Sequence, residues 1–265
     1  MRVMNLVSGS SGNSTLVGTD RVTVLCDVGV SKKKIEECLG SANFTGADID
    51  AILITHEHID HVKGLGVFLR KYPVPVYATD RTVEAVFCMN SLGKMDRELF
   101  RPFRPGDTIQ LRDLEIRSFS VSHDAADPVC YSFTDGEKKA CIATDLGVVT
   151  NDLIRGLQGC DYMMIEANHD VRMLEAGPYP YPLKQRILSD CGHLSNEAGG
   201  AFIRELLNEH VKEIRLGHLS KENNYPDLAL MTVKQELLGN PYSPDPEELP
   251  IYVAGRDEAD PMVEM

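Results

Sequence analysis

Three of the chain's eight histidines, with the carboxylate of Asp60 among them, fall in Thr55-His56-Glu57-His58-Ile59-Asp60-His61. The apolar run 51–54 that precedes them reads as a buried strand. Imidazole nitrogen and carboxylate oxygen are good ligands for divalent zinc, manganese or iron. Loops that leave the C-terminal ends of strands commonly build sites in α/β proteins. An ordinary solvated loop has no reason to gather imidazoles this densely, so the segment reads as a metal site.

A hydrolytic centre with two metals needs roughly eight ligand contacts, more than this box supplies. Later strand ends carry the right residue types. His123 follows the apolar run 114–121, Asp145 follows 140–143, and His218 follows 213–216. Singly, each could be a turn or capping residue; the same arrangement three times favours ligands. Asp27, at the end of strand 22–26, is a candidate carboxylate for orienting one of the histidines. The loop Ser8-Gly9-Ser10-Ser11-Gly12-Asn13-Ser14 offers N–H and hydroxyl groups able to cradle an anion. In Asp190-Cys191-Gly192-His193-Leu194-Ser195-Asn196, His193 directly precedes a Ser-capped helix. An imidazole there can bind an anion or give a proton to a leaving oxygen.

Strand and helix signals alternate along the chain without an internal repeat. Strands are expected at 2–7, 15–17, 22–26, 51–54, 74–78, 108–111, 114–121, 130–134, 139–143, 162–166, 213–216 and 251–253. Helices are expected at 31–39 with Ser31 as N-cap and Gly40 as stop, then at 62–71, 81–90, 151–157, 184–188, 195–208 and 227–238. Asp135-Gly136 signals a hairpin, and Pro178-Tyr179-Pro180-Tyr181-Pro182 a stiff loop. No composition shift marks a boundary, so residues 1–255 are expected to form one domain, with 256–265 a solvated acidic tail.

The 265 residues are 43% apolar, enough to bury a core. No stretch approaches the roughly 20 apolar residues of a membrane span, and a signal peptide's charged and apolar leader is not seen. Seven cysteines without a CxxC pair indicate neither a disulfide framework nor a thiolate cluster. A cytoplasmic protein with no membrane association and no obligate protein partner is expected. The net charge of −13 opposes electrostatic wrapping of a long duplex, so attraction for an anionic substrate must come from a focused site.

The HxHxDH box followed by a lone His, Asp and His resembles the metallo-β-lactamase superfamily over nearly the whole chain. That resemblance implies an α/β fold, a four-layer αββα sandwich, with a binuclear site at one edge of its sheets. By position, His56, His58 and His123 would hold the first metal and Asp60, His61 and His218 the second, with Asp145 bridging; zinc or manganese is expected, iron a third option. The segment around His193 is similar to the His-Leu-Ser/Thr box of ribonuclease Z and related phosphodiesterases, in which that histidine protonates the leaving group. Glu166-Ala167-Asn168-His169 resembles the loop whose acidic residue pairs with it. His193 and Glu166, with Asp60, are therefore the expected catalytic group.

Together with the Ser/Gly loop and Gly177-Pro178-Tyr179-Pro180, these segments look most like the YycJ/WalJ-type subgroup. That likeness implies a 5′-to-3′ exonuclease acting on DNA ends, with a part in DNA repair. Ser8, Ser10, Ser11, Asn13, Asn168, Lys184 and Arg186 are the candidates for holding the strand. The interval from Asp145 to His218 is too short for the inserted domain of the RNA-processing branch. Two competing readings remain: a hydrolase of a small phosphodiester or thioester metabolite, and a metal-stabilised regulatory protein.

Overall fold

The central strands, such as Thr23–Cys26, Val129–Thr134 and Tyr162–Glu166, are buried along nearly their whole length, as strands covered on both faces must be, whereas Leu114–Ser120 alternates. A computed structural model describes residues 1–243 and 245–265. One sheet is built from β1 (Arg2–Val7), β2 (Ser14–Gly18), β3 (Thr23–Cys26), β4 (Ala51–Leu53), β5 (Val76–Thr79) and β6 (Phe100–Phe103). The other contains β7 (Thr108–Leu111), β8 (Leu114–Ser120), β9 (Val129–Thr134), β10 (Lys139–Ala143), β11 (Tyr162–Glu166), β12 (Glu213–Gly217) and β13 (Ile251–Val253). A last strand, β14 (Val263–Glu264), returns to the first sheet beside β1. The orders are β14-β1-β2-β3-β4-β5-β6 and β13-β12-β11-β10-β9-β8-β7. Both sheets are mixed: β1 to β3 and β7 to β10 are antiparallel, and β3 to β6 and β10 to β13 parallel.

Period-two alternation sends successive side chains to opposite faces, and here both faces meet apolar partners. Val17, Val24, Leu53, Tyr131, Ile142 and Met164 interdigitate between the sheets. Leu16, Leu25 and Ile52 face outward onto Ile35 and Leu39 of α1 (Lys32–Ser41) and Phe68 of α3 (Leu65–Lys71). On the far side, Cys141, Met163 and Ile165 pack with Phe202 of α8 (Asn196–Leu206) and Val233 of α9 (Pro226–Glu236). The result is a four-layer αββα sandwich. The remaining helices are α2 (Ile59–Val62), α4 (Asp80–Cys88), α5 (Asn151–Leu157), α6 (Val171–Ala176) and α7 (Tyr181–Ile187). No helix among the described residues is long and apolar enough to cross a membrane.

Four local expectations differ from what is observed. The helix expected at 62–71 is two helices, α2 and α3, broken at Gly64. The first lies inside the His-rich box with Asp60 and His61 on it. Strand β6 carries Pro102 but forms a sheet edge, where a missing N–H breaks no ladder. Residues 256–265 do not extend as a solvated tail: Val263 and Glu264 pair with Val3 and Arg2, and Asp260 Oδ2 accepts from Asn5 Nδ2 at 2.8 Å. Proline-rich 178–182 runs into α7, with Pro182 in its first turn, where a proline fits.

The parallel relations place the C-terminal ends of β1, β3, β4, β8, β10, β11 and β12 at one edge of the sandwich, where the loops carrying the candidate ligands emerge. Gly29 is packed there so tightly that a Cβ would lie 1.7 Å from the Asp60 carbonyl oxygen and 2.6 Å from Asn13 N. Gly29→Ala is expected to cost about 1–3 kcal/mol of stability, read as a lowered thermal midpoint, and to weaken metal retention by displacing Asp60.

Candidate metal centre

The His-rich loop holds its shape through backbone and buried carboxylate contacts. His58 precedes α2 and its carbonyl accepts from His61 N at 2.9 Å, turning Asp60 and His61 back over His56. Asp27, just past β3, accepts from Thr55 N at 2.9 Å, Thr55 Oγ1 at 2.8 Å and His61 Nδ1 at 2.7 Å. With Nδ1 donating to a carboxylate, His61 turns Nε2 into the site. His123 is oriented in the same way, Nδ1 donating to Gly192 O at 3.0 Å. His218 Nδ1 donates to Glu166 Oε1 at 3.1 Å.

Seven side chains from four separate stretches of the sequence converge here. His56, His58 and His123 bring one nitrogen each to within 4.8 Å of one another, and so do the ligand atoms of Asp60, His61 and His218. Asp145 lies between the two groups, 3.2 Å from His61 Nε2, 3.4 Å from His218 Nε2 and 3.8 Å from His123 Nε2. Within the first group, His123 Nε2 and His58 Nδ1 are 3.2 Å apart. His56 Nε2 is buried with no hydrogen-bond partner among the described residues, and Asp145 Oδ2, also buried, meets only His61 Nε2. Unpartnered buried polar atoms of this kind are costly, and a cation at their focus removes the cost. The donor set and these buried atoms fit divalent metals, with the three-histidine group and the Asp-His-His group as two adjoining positions and Asp145 facing both.

Three residues of this edge stand in left-handed backbone conformation without being glycine: Asp27 (φ 63°), Asp145 (φ 61°) and His218 (φ 55°). Each closely follows a strand. Such geometry costs on the order of 1–3 kcal/mol per residue and gathers at functional sites.

Beside the centre, His193 Nδ1 lies 2.8 Å from Glu166 Oε1, and its ring stacks on that of His218 with centroids 5.2 Å apart. Glu166 is wholly buried; its Oε2 accepts from Leu146 N and Leu194 N, both at 3.1 Å. Burial alone would raise its pKa, but His193 and His218 outweigh it and hold the group at about 2. It is thus ionised at any working pH. Burial and neighbouring imidazoles lower the pKa of His56, and burial chiefly that of His123, leaving both neutral. Burial opposes charge on His61 and His218 too, yet Asp145 and the other nearby carboxylates prevail, raising His61 well up and His218 to about 10.

The centre opens into a cavity of ≈ 230 Å³ whose wall includes Ser10, Asn168, Arg186, His193 and Ser220. Of the candidates for holding the strand, Ser10, Asn168 and Arg186 line this cavity. Asn168 Nδ2 also donates to His218 O at 2.9 Å, and Arg186 is engaged by Asp124, with Nη2 at 2.9 Å from Oδ1. The other candidates face elsewhere. Ser8 is buried and its Oγ accepts from His218 N at 2.9 Å; Asn13 is buried against Gly9 and His61. These two brace the loop. Ser11 faces a separate cleft, and Lys184 donates to Glu175 O at 2.7 Å in a neighbouring groove. Sequence reasoning missed Thr55, Asp124 and the wall residues Tyr179 and Leu183. Tyr179 lies in the Gly177-Pro178-Tyr179-Pro180 segment that carried the resemblance, and Leu183 directly follows the proline-rich run.

A sandwich with metal-binding groups at its shared strand edge defines a class of metallo-hydrolase, and the chain belongs to the metallo-β-lactamase superfamily: the family described as beta-lactamase superfamily domain matches residues 23–211. More particularly, it is 46% identical over 232 residues to exodeoxyribonuclease WalJ of Streptococcus pneumoniae, covering 88% of this chain and 86% of that one. Exodeoxyribonuclease YycJ of Bacillus anthracis is 42% identical over 232 residues, 88% and 87% of the two chains. Among solved structures, the metallo-beta-lactamase fold protein YhfI of Bacillus subtilis superposes with a TM-score of 0.72 at 16% identity, over 98% of each chain.

Metal ligands must be deprotonated to bind. His61 and His218 are held protonated by their carboxylates without metal, so metal uptake is expected to release about two protons near neutral pH and to weaken as pH falls. Calorimetric titrations in buffers of different ionisation enthalpy measure the release. Asp27→Asn is expected to lower metal affinity by about 10–100-fold, read by competition with a chromophoric chelator.

Proposed function

We propose that the protein is a metal-dependent phosphodiesterase, a 5′-to-3′ exonuclease acting on DNA ends. The observation that carries this reading is the His193–Glu166 pair beside the centre, a proton donor with no place in the two ligand groups. The WalJ and YycJ relatives, named exodeoxyribonucleases, supply the substrate class. His56, His58 and His123 would hold one divalent cation and Asp60, His61 and His218 a second, with Asp145 shared; zinc, manganese and iron all suit this mix of nitrogen and oxygen donors. Cations there would polarise the phosphate and furnish a nucleophilic water at neutral pH.

The chain's own residues do the rest. Glu166 accepts from His193 Nδ1–H, which fixes the ring and leaves Nε2–H to protonate the departing 3′ oxygen. Ser10 and Asn168 orient the phosphate from the cavity wall. Arg186, steered by Asp124, adds positive charge at the mouth. A cytoplasmic setting accords with seven cysteines that are all free thiols, five of them buried.

His193→Ala is expected to retain its metals and lose about 10²–10⁴-fold in kcat, the usual scale for a general acid. An end-labelled DNA assay with parallel metal analysis tests this, and near wild-type turnover would remove the role. Glu166→Gln should lower kcat less than His193→Ala does, with reduced metal retention because His218 shares the same oxygen.

A further inference from the structure

The Ser/Gly loop has two sides. Ser10 lines the metal cavity, while the next residue, Ser11, lines a separate cleft of ≈ 390 Å³ with Ser31, Lys34, Lys63, Arg256 and Asp257. Three cations and one carboxylate meet there, in a chain of net charge −13. Lys34, Lys63 and Arg256 have no carboxylate within 4.0 Å among the described residues. On the same helix as Lys34, by contrast, Lys32 pairs with Glu36 at 2.7 Å and Lys33 with Glu37 at 3.7 Å.

Arg256 sharpens the contrast. Its Nη2 donates to Leu219 O at 2.8 Å, but Nη1 is buried and has no partner. Leaving a buried guanidinium N–H unsatisfied is unfavourable unless an anion completes it. The cleft is also tied to the centre through the backbone. Lys63 caps α2, the helix of Asp60 and His61, and Leu219 directly follows His218. The N-terminal end of α1, capped by Ser31, adds its partial positive charge.

We propose that this cleft is a second phosphate subsite. It binds a backbone phosphate of the same nucleic-acid strand whose scissile bond lies in the metal cavity, so that the strand crosses the Ser/Gly loop. Arg256 supplies directed N–H donors, Lys34 and Lys63 supply point charges, and Ser11 and Ser31 supply hydroxyls. The proposal rests on the nuclease reading and says how an acidic protein holds an acidic polymer: through a few unpaired cations placed next to the centre.

The test uses the metal-loaded full chain carrying both Lys34→Gln and Lys63→Gln, two surface changes outside the core. Kinetics on an end-labelled single-stranded oligonucleotide are followed across a salt series, alongside turnover of bis-p-nitrophenyl phosphate, which is too short to span the loop. The expected result is a KM on DNA raised about tenfold at low salt with kcat little changed. The dependence of log kcat/KM on log salt should become shallower by about 0.7 for each phosphate the variant no longer neutralises. Lys33→Gln, outside the cleft, serves as the control and should keep the wild-type KM. An enzyme that degrades DNA with KM and salt slope unmoved by the double variant overturns the subsite. So does an equal loss on the small diester, which would place the damage in the metal cavity. If the unaltered protein cleaves only the small diester, the nuclease reading itself fails and the subsite falls with it.

Discussion

The structure turns on a crowd of buried ligand atoms that satisfy one another only in part. The ring centroids of His56 and His61 are 4.1 Å apart, and those of His56 and His123 5.0 Å. A ring nitrogen with its lone pair turned inward cannot donate to another in the same state. Carboxylates supply only part of what is missing. Asp27 and Glu166 bond the outward nitrogens of His61 and His218, which turns the other nitrogen of each ring toward the centre, where His56 Nε2 stands unpaired. Cations at the focus would relieve that conflict, which would link metal binding to folding stability.

The two sheets exist to hold that crowd still. The left-handed turns at Asp27, Asp145 and His218 are tolerated because each hangs from a strand buried on both faces. Gly29 lets the chain after Asp27 pass against the Asp60 carbonyl, bringing the β3 and His-rich loops within reach of each other. Across the sandwich, Asp124 N donates to Cys191 O and His123 Nδ1 to Gly192 O, which binds the His123 loop to the segment of His193. These bonds hold the His193 segment and the His123 loop in fixed register.

The side chains that converge at this edge were legible in sequence because their signal is local. His56, His58, Asp60 and His61 sit in one box, and His123, Asp145 and His218 each end an apolar run. The strands were legible for the same reason, since continuous Val, Ile and Leu runs of this length suit little else. Helix α2 was hidden because its four residues are dominated by the ligand pattern. Strand β6 was hidden by Pro102, whose penalty disappears at an edge. The direction in which a loop side chain faces was beyond local signals. Ser8 and Ser11 are three residues apart in one loop, yet one is buried under His218 and the other opens onto a different cleft. Arg186 was identifiable as a cation, but its capture by Asp124, 62 residues away, is purely tertiary.

Glu166 gives a single oxygen, Oε1, to both His193 and His218. That one atom couples the ring beside the centre to a ring within it, with no water or flexible side chain between them. Whatever alters how His218 is held is felt at once in the placement of His193.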